Sequence, residues 1–303
     1  VASRTTEGKH SAKRASGKKK SNALIALLLI VAGLGVLLYP VIATQWNNFS
    51  QLRASEEYSK LEKQAPQEVL DTAWNEAQKY NEERPYDGNV MDAWNDRADE
   101  NSEAYQQYQR YLSELAETEA MGRIIIPSID SDLPIYHGTS EATLAEGAGH
   151  LYGTDLPVGG EGRHAVLSAH TGMQNATLWD NLTKVKEGDA FYIQVAGHKL
   201  KYQVDQIKVV LPSETDDLRR VDGQDYVTLI TCTPYGINTH RLLVRGHQEP
   251  MDPSDEAVFD SNKGLHMQWW MWAILAAAAL ILLFLIMWLR RLRRDAKKAA
   301  EEA

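Results

Sequence analysis

Two uncharged apolar segments constrain this chain more than any other feature. Ala23 to Ala43 and Trp269 to Leu289 are each 21 residues long without a charged side chain. As a helix, each reaches across about 30 Å of hydrocarbon. Lys18, Lys19 and Lys20 precede the first segment, and Arg290, Arg291, Arg293 and Arg294 follow the second. Basic flanks stay on the cytoplasmic side, so both termini are expected inside and residues 44–268 outside. Trp46, Trp269, Trp270 and Trp272 then fall at the outer interface, where indoles settle. The competing reading of the first segment is a cleaved signal peptide. The segment is too long for a signal core, and Val41-Ile42-Ala43 is a poor cleavage site, so a retained anchor is expected.

Charge sorts in the same way. Residues 1–22 carry seven basic groups and one acid, and residues 290–303 carry six basic and three acidic. Residues 44–268 carry 19 basic and 37 acidic groups, a balance of −18. A phosphate backbone needs a basic footprint, so nucleic acid is not an expected partner. The basic ends suit an anionic lipid surface instead.

Between the apolar segments the texture changes once. Asn48 to Tyr80 is rich in Glu, Gln, Ala and Lys, a helix-favouring composition that Pro66 kinks or divides. Its apolar positions (Leu52, Leu61, Leu70, Trp74, Ala77) are sparse, which predicts a helix covering another body. Pro85 and Asp87-Gly88 break this pattern. Tyr105, Tyr108, Leu112 and Leu115 then recur at helical spacing. From Met121 onward the chain reads as short β-branched or alternating runs. These are Arg123–Ile126, Leu133–Tyr136, His164–Ala169, Ala190–Val195, Leu200–Leu211, Tyr226–Thr231 and Arg241–Arg245. Seven or eight such strands predict a closed or nearly closed barrel. Gly159-Gly160-Glu161-Gly162 reads as a hairpin turn, not a phosphate loop.

The expected order is therefore a basic tail (1–22), a membrane helix (23–43), an outward helical extension (44–120), a β-barrel (121–249), a linker (250–268), a second membrane helix (269–289) and a basic tail (290–303).

Cys232 is the only cysteine among 303 residues. In an outward-facing domain it has no partner within its own chain, and keeping an exposed thiol there suggests a use for it. It ends the run Val227 to Thr231. Pro234 and Gly236 turn the chain, and Arg241 opens the next strand. Two antiparallel neighbours joined in this way bring the thiol and the guanidinium together. Inert packing is the competing reading of a lone cysteine. No second cysteine and no His-Glu-x-x-His pattern is present, so neither a metal nor a cofactor is expected. Nucleophilic chemistry remains, and a thiol needs a partner that favours its ionised form. Of the eight histidines beyond the basic tail, His170 has the best local case. It ends the run Ala165 to Ala169 and precedes Thr171-Gly172, so it projects at a strand end as Cys232 does.

At this point a resemblance is plain. Thr228-Leu229-Ile230-Thr231-Cys232 resembles the signature of sortases, the surface transpeptidases of Gram-positive bacteria. The run from Cys232 through Pro234, Tyr235, Gly236 and Asn238 to Arg241 is similar to the pilus-building class C subgroup. So are Leu133-Pro134-Ile135-Tyr136-His137-Gly138-Thr139, Gly149-His150-Leu151, Leu156-Pro157-Val158-Gly159-Gly160 and Leu167-Ser168-Ala169-His170. The match covers roughly Met121 to Gln248.

The resemblance implies a mostly β fold: the sortase-type closed eight-stranded β-barrel with an N-terminal helical extension, flanked by two transmembrane helices. It implies Cys232 as nucleophile, His170 as general acid and base, and Arg241 as hydrogen-bond donor to the oxyanion or substrate. It further implies cleavage of an LPXTG-type sorting signal between Thr and Gly, and transfer of the acyl group to a pilin lysine. Its expected partners are thus pilin subunits and the lipid bilayer. A housekeeping-type sortase that attaches proteins to peptidoglycan, or a hydrolytic cysteine peptidase, is the alternative. Class C sortases commonly carry a lid with an Asp-Pro-aromatic motif. Asp92-Ala93-Trp94, within a candidate lid at 84–97, resembles it, with Ala93 in place of the proline. By that resemblance Asp92 pairs with Arg241 and Trp94 covers Cys232.

Overall fold

A computed structural model describes residues 7–84, 102–260 and 266–301. They fall into two compact units, Val1–Ala43 with Met267–Ala303, and Thr44–His266. In the first unit, the early part of helix α1 (Glu7–Gln64) and helix α6 (Trp269–Glu301) are long and apolar enough to cross a membrane. Each has a mean hydropathy of 2.7 over its most apolar stretch.

The second unit is built on eight strands: β1 (Gly122–Ile126), β2 (Ser131–His137), β3 (Ala148–His150), β4 (Arg163–Ser168), β5 (Ala190–Val195), β6 (His198–Val210), β7 (Asp225–Thr233) and β8 (His240–Glu249). They close into a barrel in the order β1-β2-β3-β4-β7-β8-β6-β5, with β5 pairing back to β1. Most pairs are antiparallel, but β2 with β3 and β4 with β7 run parallel. The mostly β fold, the closed eight-stranded barrel and the helical extension before it are thus present.

Period-two alternation explains how the barrel fills. Ile124, Ile135, Leu167, Ile193, Leu229 and Val244 point inward and are all but inaccessible to solvent. The rings of Phe191 and Tyr202 stack among them at 5.4 Å. Gly246 makes room for this pair. A Cβ at Gly246 would lie 2.6 Å from Phe191 Cε1, so any larger residue there displaces the ring.

Pro66 divides the helical extension, capping α2 (Gln67–Glu83) where α1 ends. The buried stripe of α2 is Ala73, Ala77 and Tyr80, whereas Leu61 on α1 is 42% exposed. Helix α3 (Glu103–Ser113) opens on Ser102, whose hydroxyl accepts from the Tyr105 amide. It buries Tyr111 completely and leaves Tyr105 and Tyr108 at its edge. The extension is bound to the barrel by polar contacts as well. Asn81 exchanges two hydrogen bonds with the backbone of Leu156, at 2.8 and 3.0 Å. The buried Asp155 carboxylate accepts from Arg84, Arg220 and the His164 amide.

One expectation is corrected and two are refined. Strand β3 is absent from the predicted runs, because Ala148-Gly149-His150 has neither length nor alternation to announce it. The 159–162 glycine cluster is not a hairpin turn. It lies in the long connection from β3 to β4, where the Gly160 amide donates to Asp225 Oδ2 at 2.5 Å. The stretch 250–268, read as a linker, includes the short helix α5 (Glu256–Asp260).

Candidate active site

Three adjacent strands, β4, β7 and β8, build the site. Ala165, Leu167, Val227, Leu229, Leu242 and Val244 belong to the barrel-filling cluster. The alternate residues Val166, Ile230 and Leu243 form a separate outer cluster with Leu151 and Leu218. Side chains switch faces at each step, so Cys232 follows Ile230 and Arg241 precedes Leu243 on that outer face. The β4–β7 ladder continues one residue beyond β4. The Ala169 amide donates to the Ile230 carbonyl at 3.1 Å, and Ala169 itself points into the core. His170 therefore returns to the outer face.

Register completes the arrangement. Cys232 and Arg241 are Cα partners across β7 and β8. The parallel β4–β7 pairing matches Ser168 with Ile230, and His170 lies two residues beyond that pair. Neighbouring strands lie about 4.7–4.9 Å apart. Thiol and guanidinium thus stand on paired positions beside Ile230 and Leu243, and the imidazole follows the end of the neighbouring strand β4.

Cys232 is a free, half-buried thiol. Among the described residues Arg241 makes only long contacts, from Nη1 to the carbonyls of Asn238 at 3.5 Å and His240 at 3.4 Å, and no carboxylate lies within ion-pair reach of it. His170 is 23% exposed at its side chain, with Nε2 3.4 Å from Glu141 Oε2. Glu141 opens the short helix α4 (Glu141–Glu146) and is itself 95% exposed.

The loop after His170 is held by buried groups. The Trp179 amide donates to the His170 carbonyl at 3.1 Å. Asp180 Oδ1 accepts from the Gly172 amide at 2.7 Å and the Thr171 hydroxyl at 3.1 Å. Burial pushes the Asp180 carboxyl above the ordinary carboxylate range, against the pull of those two donors.

The remaining histidines of the barrel are bound elsewhere. His150 is fully buried against the Tyr111 hydroxyl and the Asp155 carbonyl, and burial lowers it to about 3. His164 lies between the Arg219 carbonyl and the Thr228 hydroxyl, and burial lowers it too. His137 meets the Glu114 carbonyl, and His198 stacks on Trp74 at 3.7 Å. Among the described residues no cluster of His, Cys, Asp and Glu is placed to hold a metal ion. Asp92 and Trp94 lie outside the described residues.

The structure pairs Cys232 with Arg241 and sets His170 just beyond the end of the neighbouring strand β4. Sequence reasoning did not single out Glu141 or Asp180. Nothing in the local pattern marks either, because each acts across a loop rather than along a strand.

A closed barrel with a free thiol paired with a guanidinium at one rim, next to the strand that leads to an imidazole, outlines a candidate cysteine-centred site. The family model of the sortase domain matches residues 124–249. Sortase C-1 from Actinomyces oris is 50% identical in solved structure, covering 60% of this chain and 99% of its own, with a TM-score of 0.56. A pilus-related sortase C of Group B Streptococcus is 42% identical, covering 65% of this chain and 97% of its own, also with a TM-score of 0.56. Sortase A of Bacillus anthracis is 30% identical over 132 residues, 44% of this chain and 61% of that relative. The chain thus spans less than two thirds of the length of the curated relatives it matches. It belongs to the sortase family.

Proposed function

We propose that the chain is a membrane-anchored cysteine transpeptidase that builds pili. It takes pilin subunits bearing LPXTG-type sorting signals and joins them through acceptor lysines. The observation that carries this reading is the pairing of Cys232 with Arg241 across β7 and β8, with His170 just past the end of the adjacent strand β4. The pilus-related sortase C of Group B Streptococcus, at 42% identity, supports the pilin as substrate.

The chemistry follows from these three groups. Cys232 Sγ, its proton passed to His170, attacks the carbonyl carbon of the signal's Thr, and a tetrahedral oxyanion forms. Arg241 donates N–H groups to that oxygen; its guanidinium does not lose its proton. His170 gives a proton to the departing glycine amine as the C–N bond breaks, leaving a thioester on Cys232. A lysine amine then attacks the thioester and His170 takes its proton. The thiolate leaves as an isopeptide bond forms.

The two apolar helices anchor the chain, and the basic flanks place both termini in the cytoplasm with residues 44–268 outside. A covering role for Asp92 and Trp94 stays with this proposal from the sequence alone, and Trp94→Ala is expected to speed alkylation of Cys232.

The test incubates the full chain in detergent with an LPXTG peptide, with and without a lysine-bearing pilin fragment, and weighs the products. A conjugate that disappears in Cys232→Ala is expected. Hydrolysed peptide alone overturns the reading in favour of a peptidase, and an active Cys232→Ala variant overturns the nucleophile.

A further inference from the structure

His170 stands where its strand has already ended. Its neighbour Ala169 makes the last β4–β7 contacts, so the ladder holds the backbone before the imidazole but not the backbone after it. Support has to come from downstream. It comes from a loop that returns on itself. The Trp179 amide closes on the His170 carbonyl, and the Trp179 side chain, fully buried, fixes that end in the core. Between them Gly172 turns the chain at φ +78°. A Cβ added there would stand 3.4 Å from the Gly236 amide nitrogen, so this loop runs against the β7–β8 connection that follows Cys232.

One side chain binds the turn to the returning segment. Asp180 Oδ1 accepts both the Gly172 amide and the Thr171 hydroxyl, the two residues directly after His170. Thr171 is 8% exposed and Asp180 is half-buried, so water competes only in part for these bonds. Asp180 has no hydrogen bond to the imidazole itself; its action passes through backbone.

We propose that Asp180 is the positioning residue for His170, its carboxylate holding Thr171 and Gly172 so that the imidazole stays level with Cys232. The assignment rests on the reading of His170 as the acid–base group. A reacting group must be held within about half an ångström of its working place, and a displacement of about 1 Å costs on the order of a hundredfold in rate.

Two readouts on the full chain in detergent test this. The first is acyl transfer from an LPXTG peptide. Asp180→Ala is expected to lower kcat by about tenfold to a hundredfold with KM within about twofold. Asp180→Asn keeps an oxygen acceptor and should stay within about threefold of wild type. The second readout needs no substrate: carbethoxylation of His170 by diethylpyrocarbonate, followed by mass spectrometry, with the half-buried His240 as internal reference. The alanine variant should react severalfold faster at His170 and unchanged at His240, and the asparagine variant should react as wild type does. If wild type makes no thioester but the modification pattern holds, the functional reading fails while the positioning role stands. If wild type is active and Asp180→Ala matches it in both readouts, the role is overturned. It is likewise overturned if the asparagine variant is as impaired as the alanine one, or if kcat and KM worsen together with a lost thermal midpoint.

Discussion

Thr231 Oγ1 donates to the carbonyl oxygen of Ala169 at 2.8 Å, so the residue before the thiol is fastened to the residue before the imidazole. Thr231 is 2% exposed, which keeps water from competing for that bond. The threonine preceding the cysteine therefore extends the β4–β7 pairing past the last residue of β4.

Thr231→Val keeps the shape and removes the donor. Leaving the Ala169 carbonyl without this partner should cost about 0.5–1.5 kcal/mol of stability. Chemical denaturation measures that cost. Single-turnover thioester formation should fall further than the stability change predicts, because the link between the two strand ends itself loosens. A variant that loses stability but forms thioester at the wild-type rate shows that the bond supports only the barrel.

Arg241→Lys keeps the charge beside Cys232 but loses the planar fork. A guanidinium presents two N–H groups in fixed geometry, whereas an ammonium is a point charge. Losing an oxyanion donor typically costs about 10²–10³ in rate. The lysine variant should therefore be impaired on that scale in thioester formation. A rate within a few-fold of wild type assigns Arg241 no more than its charge.

The buried histidines set an acid limit on stability. The folded state holds His150 neutral down to about 3, against an ordinary value of 6.5, because burial penalises the imidazolium. Between those values the unfolded chain binds a proton that the folded one does not. The contribution is complete above about pH 6.5 and is lost as pH falls, by up to about 1.4 kcal/mol per pH unit. His137 and His164 are lowered by the same cause. Asp225 opposes them. Burial raises it to about 6 from 3.8, so it costs stability as pH rises through that window. Melting temperatures from pH 7 to pH 4 separate the contributions. His150→Gln should melt lower than wild type at pH 7 and lose less on acidification, and parallel slopes in the two proteins contradict the assignment.

Topology is open to a direct test. Protease added to intact protoplasts should remove residues 44–268 and spare tags fused at either terminus. Loss of either tag reverses the orientation drawn from the basic flanks.

Much of this architecture was legible because it is periodic. The apolar segments, and the strands containing Val166, Ile193, Leu229 and Val244, announce themselves by composition and alternation. Cys232 and Arg241 were legible as neighbours because a short turn joins their strands. What escaped depends on contacts between distant segments. Tyr111 is buried by its contact with His150 and not by its own helix pattern, which favoured Tyr105 and Tyr108. Leu61 reads as a packing residue yet faces out. The bonds of Asp180 and Thr231 depend on where the backbone returns, which residue type alone does not encode.

The parallel pairing of β4 with β7 has a consequence in time. Parallel neighbours cannot be joined by a tight turn, so the chain makes β5 and β6 before it returns beside β4, 62 positions on. Loop-closure entropy for so distant a pair is lost before any contact repays it, and such pairings form slowly. The imidazole and the thiol thus belong to the late-forming part of the barrel, and a chain still folding carries a cysteine whose strand has not yet met β4.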